Sequence, residues 1–213
     1  MDHVPPRSMF PDKVPPYVQM VSAPACTECH DANKKDDVVI RNILISTRDT
    51  EQHSAVLGGL AGKRDRSFIR SLKRGGRDFH QILQTMKLVD VKTPAGLYLG
   101  QHWAFDFDNP IMNRFVERLA RALLWYEFRQ PHFEGEFGWR TNLEMPSLVY
   151  EGMQRFGRMR RVGDVFAYGV MPLKDEGPSW AITNFYGMIE FFIRTSKTEQ
   201  GRGPNGLPPV GHG

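Results

Sequence analysis

Cysteine is scarce in this chain. The 213 residues contain two, Cys26 and Cys29, both in one Cys-x-x-Cys step. That excludes a disulfide framework and fits a reducing compartment with metal or redox use of the thiols. A closed tetrahedral zinc site takes four ligands, so the sequence shows half of one. Long apolar runs are also missing. No stretch approaches the length of a transmembrane helix, so no membrane partner is expected. The opening MDHVPPRSMFPDKVPPY has no apolar core behind a basic start, and the expected location is cytoplasmic. There are no internal repeats and no phosphate-loop fingerprint. GGLAGKR at 58–64 fails the GxxxxGK[ST] pattern because Arg64 follows Lys63.

Charge of either sign is not in large excess: the formal net charge is +4, with 24% charged and 40% apolar residues. A soluble chain with a substantial core is expected. The distribution of charge says more than the sum. Lys63, Arg64, Arg66, Arg70, Lys73, Arg74 and Arg77 form one basic concentration, and Arg155, Arg158, Arg160 and Arg161 a second. Each reads equally well as a phosphate-binding patch or as a solvated helix face.

Residues 1–25 hold six prolines and read as extended turns, with His3 on a strand. A helix is expected from His30, capped by Asp31, burying Val38, Ile40, Ile43 and Leu44. Residues 49–85 read as helical, broken near Gly58-Gly59, Gly62 and Gly75-Gly76. LVDVKT and GLYLGQHWAF then read as a hairpin turning at Pro94-Ala95-Gly96. Asn109 to Arg129 is the clearest helix, with Pro110 in its first turn and a stripe through Met112, Phe115, Val116, Leu119 and Leu123. PHFEGEFGWRTN reads as a loop or irregular strand, and Leu148 to Phe156 as a short helix. VFAYGVMP, SWAITNFY and MIEFFIRT read as three antiparallel strands joining the earlier hairpin. The fold class expected is α+β, in three parts: residues 1–45, an α+β domain at 46–195, and a disordered tail at 196–213.

The residues that carry chemistry lie at the start. Asp2-His3 pairs a metal ligand with a general base, and Cys26-x-x-Cys29-His30 anchors a turn while aiming a second imidazole. Together they suggest a metal-dependent hydrolytic site. Elsewhere, Asp106 and Asp108 near His102 read as caps and turns, and Glu134 and Glu136 near His132 as a surface loop. Trp103, Trp125, Trp139 and Trp180 read as packing residues.

Asp2-His3-Val4-Pro5-Pro6, then CxxCH and Lys34, resembles the HNH-type endonucleases of the ββα-metal class. It is most similar to a bacterial branch with a DHVPPKxxFP-like opening and a CxxCN-like knuckle followed by an acidic pair and arginine, here Asp36-Asp37 and Arg41. The resemblance covers about residues 1–45. It implies an N-terminal ββα-metal fragment and hydrolysis of DNA phosphodiester bonds. Asp2 and His30 would hold a divalent ion (Mg, Mn, Ni or Zn), and His3 would be the general base. Cys26 and Cys29 would be ligands of a structural zinc. The basic residues at 63–77 would meet the DNA backbone. The chain departs from the family in lacking the upstream CxxC pair, which an earlier start would restore. It also has no obvious asparagine to orient the base; Asn33, Asn42 and Gln19 are the nearest in sequence. A homodimer would pool two knuckles into one four-sulfur site. The alternative reading is a catalytically inactive nucleic-acid-binding or accessory protein derived from such an enzyme.

Overall fold

The computed structural model describes residues 2–47, 50, 52–93, 95–107, 109–129, 135–141, 147–171 and 179–197. The chain is α+β. It opens with two three-residue strands, β1 (Asp2–Val4) and β2 (Val21–Ala23), paired antiparallel with Asp2 opposite Ala23 and His3 opposite Ser22. The prolines between them supply a loop and a single 3₁₀ turn at Arg7–Met9. Helix α1 (Thr27–Leu44) follows directly.

Helix α1 starts earlier than the sequence suggests. Cys26, not Asp31, is the cap: its Sγ accepts the Cys29 N–H at 3.0 Å. Asp31 lies inside the helix and pairs with Lys34. The inner face is Val39, Ile40, Ile43 and Leu44, with Val38 only half-buried.

A wide turn at Val56–Leu60 leads into α2 (Ala61–Lys73). Gly59 sits at φ +139°, a conformation that excludes side chains, so the break expected there is real. Gly62 causes none and lies inside α2. Gly75 and Gly76, both at positive φ, separate α2 from α3 (Arg77–Gln84). Strands β3 (Met86–Lys92) and β4 (Tyr98–Phe105) form the expected hairpin. It remains a separate two-stranded sheet and does not join the later strands, which corrects the sequence reading. Trp103, expected in the core, is exposed on this hairpin.

Helix α4 (Pro110–Phe128) is capped by Asn109, whose Oδ1 accepts the N–H groups of Ile111 and Met112 at 3.1 and 3.0 Å. Its buried positions are Met112, Phe115, Val116, Leu119, Ala120, Leu123, Leu124 and Glu127, a 3.6-residue stripe. Next come β5 (Gly135–Thr141), α5 (Ser147–Phe156), β6 (Arg158–Val162), β7 (Phe166–Met171), β8 (Ser179–Phe185) and β9 (Ile189–Lys197). The five strands make one antiparallel sheet in the order β5-β9-β8-β7-β6. Two of these strands exceed the sequence reading. The segment read as a loop or irregular strand contains β5, whose partner lies more than fifty residues later. The second basic concentration contains β6, an edge strand and not a helix face. His132, Glu134, Asp108 and the tail from residue 198 lie outside the described residues, as do the side chains of Arg77 and Glu136.

One apolar cluster joins the N-terminal segment, α4 and the five-stranded sheet, and a smaller one sets Ile82 of α3 against Val39 and Ile43 of α1. Val4, Phe10, Val21 and Ile40 from the N-terminal segment share the larger cluster with Phe115 and Leu119 of α4 and with Phe166, Phe185 and Phe191 of the sheet. Tyr186 locks the two ends of the chain together: its hydroxyl donates to the Met9 carbonyl at 3.0 Å, and burial pushes its phenol well above the ordinary value. Among the described residues no helix is long and apolar enough to cross a membrane.

At the far end of α4, Glu127 is buried and accepts from the Tyr168 hydroxyl at 2.7 Å and Arg160 Nε at 2.6 Å. Burial works to raise this carboxyl, but the bonds from Tyr168, Arg160 and Arg158 outweigh it and hold it below its ordinary value of 4.5. A depressed folded value means the stabilisation is fully present above the ordinary value and is lost as pH falls through the folded one. Glu127→Gln is therefore expected to cost about 1–3 kcal/mol at pH 7, leaving the Tyr168 hydroxyl and the arginines poorly paired. In urea melts at neutral pH and at pH 3, the gap between the two proteins should narrow in acid. An equal gap at both pH values would refute the assignment.

Candidate metal and phosphodiester site

The antiparallel register fixes which way the N-terminal side chains turn. Asp2 and Val4 share the face that looks into the protein, and His3 and Ser22 share the opposite, outer face. Asp2 therefore meets α1. Its Oδ1 lies 3.3 Å from Nδ1 of His30, which stands in the first turn of that helix. The Asp2 side chain is 16% exposed and that of His30 is 40% exposed, so the pair is held from within and open to solvent on one side.

A second helix closes on the same pair. Arg118 of α4 donates through Nη2 to Asp37 of α1, and its Nη1 stands 3.6 Å from Oδ2 of Asp2. One turn earlier, Arg114 Nη2 pairs with Asp36 at 2.8 Å. Burial pushes the Asp37 carboxyl up against the opposing pull of Arg118. Asp36–Arg114 and Asp37–Arg118 are ion pairs between α1 and α4, and Asp2 is the carboxylate that meets His30; with the imidazole neutral these five groups sum to one net negative charge.

His3 is exposed on the outer face, with Nδ1 3.2 Å from Ser22 Oγ. If Ser22 accepts the Nδ1 proton, Nε2 carries the lone pair and points the basic nitrogen away from the strand. The contact on His3 comes from Ser22, and not from Asn33, Asn42 or Gln19, the residues the sequence suggested for orienting it. Asn42 is unsuited, being buried between Arg41 and Ser67. Gln19 is exposed. Neither Ser22 nor Arg118 is legible as a site residue in the sequence. Ser22 depends on strand register, and Arg118 lies more than a hundred residues from Asp2.

Adjacent ligands of an octahedral ion bound at about 2.1 Å lie about 3 Å apart, close to the 3.3 Å between Asp2 Oδ1 and His30 Nδ1. A Mg-type ion is commonly held by one or two protein groups, with water and phosphate oxygens completing the shell. The Asp2–His30 pair suits that role and is too sparse for a three-ligand catalytic zinc. Among the described residues no group of three or more His, Cys, Asp or Glu side chains converges.

Among the described residues the knuckle cysteines are joined by no further zinc ligand. Both are exposed and unbonded as a disulfide. The hydrogen bonds from Cys29 hold the Cys26 thiol below its ordinary value, and the same contact pushes the Cys29 thiol up. Their structural part is the cap on α1, which sets the start of the helix and hence the place of His30.

The basic concentration on α2 is only partly available to a ligand. Lys63 donates to the Phe10 carbonyl at 2.7 Å and pairs with Asp12 at 3.1 Å, and Arg66 pairs with the same carboxylate at 3.0 Å. The Lys63 hydrogen bond, with the charges of Lys63 and Arg66, holds Asp12 below its ordinary value. Arg64 bonds Asp65. Arg70, Lys73 and Arg74 are exposed, with Arg70 Nε reaching the Arg66 carbonyl.

A groove of about 980 Å³ lies elsewhere, over β6 to β8 between Tyr150, Met159, Arg161 and Asn184. Neither Asp2 nor His30 lines that groove. Compared with known proteins, the chain matches no family model, no curated protein and no solved structure.

Two exposed thiols with no further ligands lead to a direct expectation. Both should react fully with a thiol reagent under native conditions, and EDTA should leave Tm unchanged, because removal of a structural zinc unfolds the domain it holds. A fall of several degrees on chelation would reveal a closed metal site.

Proposed function

We propose that the chain is a divalent-metal-dependent endonuclease of the HNH type, hydrolysing DNA phosphodiester bonds. One observation carries this reading: a strand–strand–helix order that delivers Asp2 and His30, far apart in sequence, to 3.3 Å on an open face. The negative charge around them favours a divalent cation. When bound, that ion would supply Lewis-acid stabilisation of charge on the phosphate.

The chain's own residues supply the rest. Asp2 and His30 are the ligands. His3, oriented by Ser22, takes the proton of the attacking water through Nε2. The water oxygen then bonds to phosphorus as the bond to the leaving oxygen breaks, that oxygen takes its proton from solvent, and His3 returns the proton it accepted to solvent. Histidine suits this proton transfer because its reference pKa, near 6.5, lies close to neutrality. The exposed Arg70, Lys73 and Arg74 would meet the DNA backbone without reading sequence.

A second reading is favoured by one feature. Asp2 and His3 face opposite sides of a two-strand ladder, so a phosphate reached by both must cross the ladder's open end at Asp2. A nucleic-acid-binding protein that keeps the frame without cutting has no such requirement.

Supercoiled plasmid separates the two. With Mg, Mn or Ni the protein is expected to nick or linearise it, and EDTA to stop the reaction. His3→Ala should slow cleavage by about 10²–10⁴-fold, and Asp2→Asn should abolish metal dependence. Metal-independent retention of the plasmid without cutting, unchanged in His3→Ala, would establish the binding protein instead.

A further inference from the structure

The large sheet presents two different faces. Ala181, Thr183 and Phe185 of β8 and Phe191, Ile193 and Thr195 of β9 are buried on its inner face. The residues between them turn outward. There Trp180 of β8 and Phe192 of β9 stack, with ring centres 4.8 Å apart and planes 29° from parallel. Arg194 lies over Trp180, its Cζ 5.6 Å from the ring centre. Both rings are only half-buried, and Arg194 is exposed. Strand register adds the exposed Arg140 of β5 opposite Phe192, while Gly138 leaves the place opposite Arg194 without a side chain.

The groove over β6 to β8 continues this shelf. Ile182, beside Phe192 in the ladder, lines it together with Asn184 and Ala167. Tyr150 of α5 stands along one side, and the exposed Arg161 of β6, opposite Ala167, lies at the far edge. Strands about 4.8 Å apart put Arg140 and Arg161 roughly 20 Å from each other across the sheet. Among the described residues, Arg140, Arg161 and Arg194 form no ion pair, unlike Lys63, Arg66, Arg158 and Arg160. The acids nearby are Asp164, at the groove's rim, and Glu190, which accepts from Asn184 at 2.9 Å.

We propose that this outer face is a platform for single-stranded DNA. Bases extend the stacked row of Arg194, Trp180 and Phe192, and phosphates meet Arg140 and Arg161. Every base has a flat π face, so such stacking tolerates any sequence, and an arginine plane adds a cation–π contact. A duplex keeps its bases stacked on one another and offers the rings nothing to hold. The unpaired guanidiniums at the two edges complement a phosphate chain that crosses the strands between them. The platform is separate from the Asp2–His30 pair, and only the choice of DNA over RNA rests on the endonuclease reading.

The test reads binding in EDTA, where no cutting occurs. Anisotropy follows a fluorescein-labelled strand of about 12 nucleotides, alone and as a duplex, over a salt series. The wild-type chain should prefer the single strand by about tenfold. Phe192→Ala and Trp180→Ala should each weaken it by about tenfold, and Trp180→Phe should recover most of that loss. Arg140→Ala and Arg161→Ala should each reduce the salt slope by about 0.7. Both arginines are exposed, so these variants keep the test readable where an aromatic variant unfolds. His3→Ala should bind as wild type does.

Equal affinity for strand and duplex, or unchanged salt slopes in both arginine variants, would overturn the platform. Tighter binding of RNA of the same sequence would overturn the assignment to DNA. Strand binding without plasmid cleavage would uphold the platform and refute the endonuclease reading, and cleavage without strand binding would do the reverse.

Discussion

The burial of one face of α4 is the constraint on which the rest of the structure depends. A ladder of two three-residue strands does not persist in water, and β1 and β2 are no longer than that. They hold because Val4, Val21 and Ala23 are buried in the same apolar cluster as Phe115 and Leu119 of α4, with Phe185 and Phe191 of the sheet on its other side. Asp2 stands near the chain's beginning, where backbone order is costly to maintain. It keeps its place because its strand neighbours are core residues.

The same helix organises the polar chemistry through its period. Its apolar stripe faces the core, and the adjoining stripe sets Arg114 and Arg118 one turn apart, opposite Asp36 and Asp37 of α1. Four residues along a helix bring side chains above one another, so two successive acids meet two arginines spaced by one turn. At the other end Glu127 gathers Arg158 and Arg160 from the edge strand β6. One helix thus pairs with two acids of α1 near one end and with two arginines of the edge strand at the other.

Much of the chain's basic charge is engaged in this way. Lys63, Arg64, Arg66, Arg114, Arg158 and Arg160 all face carboxylates. Exposed pairs of this kind add little stability, about 0–1 kcal/mol each. Their consequence is electrostatic: the cationic surface offered to a polyanion is narrower than the sequence of α2 and β6 implies. Arg70, Lys73 and Arg74 remain exposed on α2.

What the sequence determined by itself is local. The period of α4, its Pro110 start, the break at Gly59, the β3–β4 hairpin and the three strands β7 to β9 follow from spacing, turn chemistry and alternation, which act over a few residues. The Asp2, His3 and His30 triplet was legible as residue types that suit metal-assisted hydrolysis. Only the tertiary structure decided the long-range matters. It made β5 a strand by giving it β9 as a partner, kept the hairpin out of the larger sheet, and put three of the four arginines of the second basic concentration on an edge strand. It also set Ser22 against His3 by strand register and Arg118 against Asp2 by helix packing. Those contacts join positions up to 116 residues apart, from Asp2 to Arg118, and no periodicity along a chain encodes which distant side chain will fill a given space.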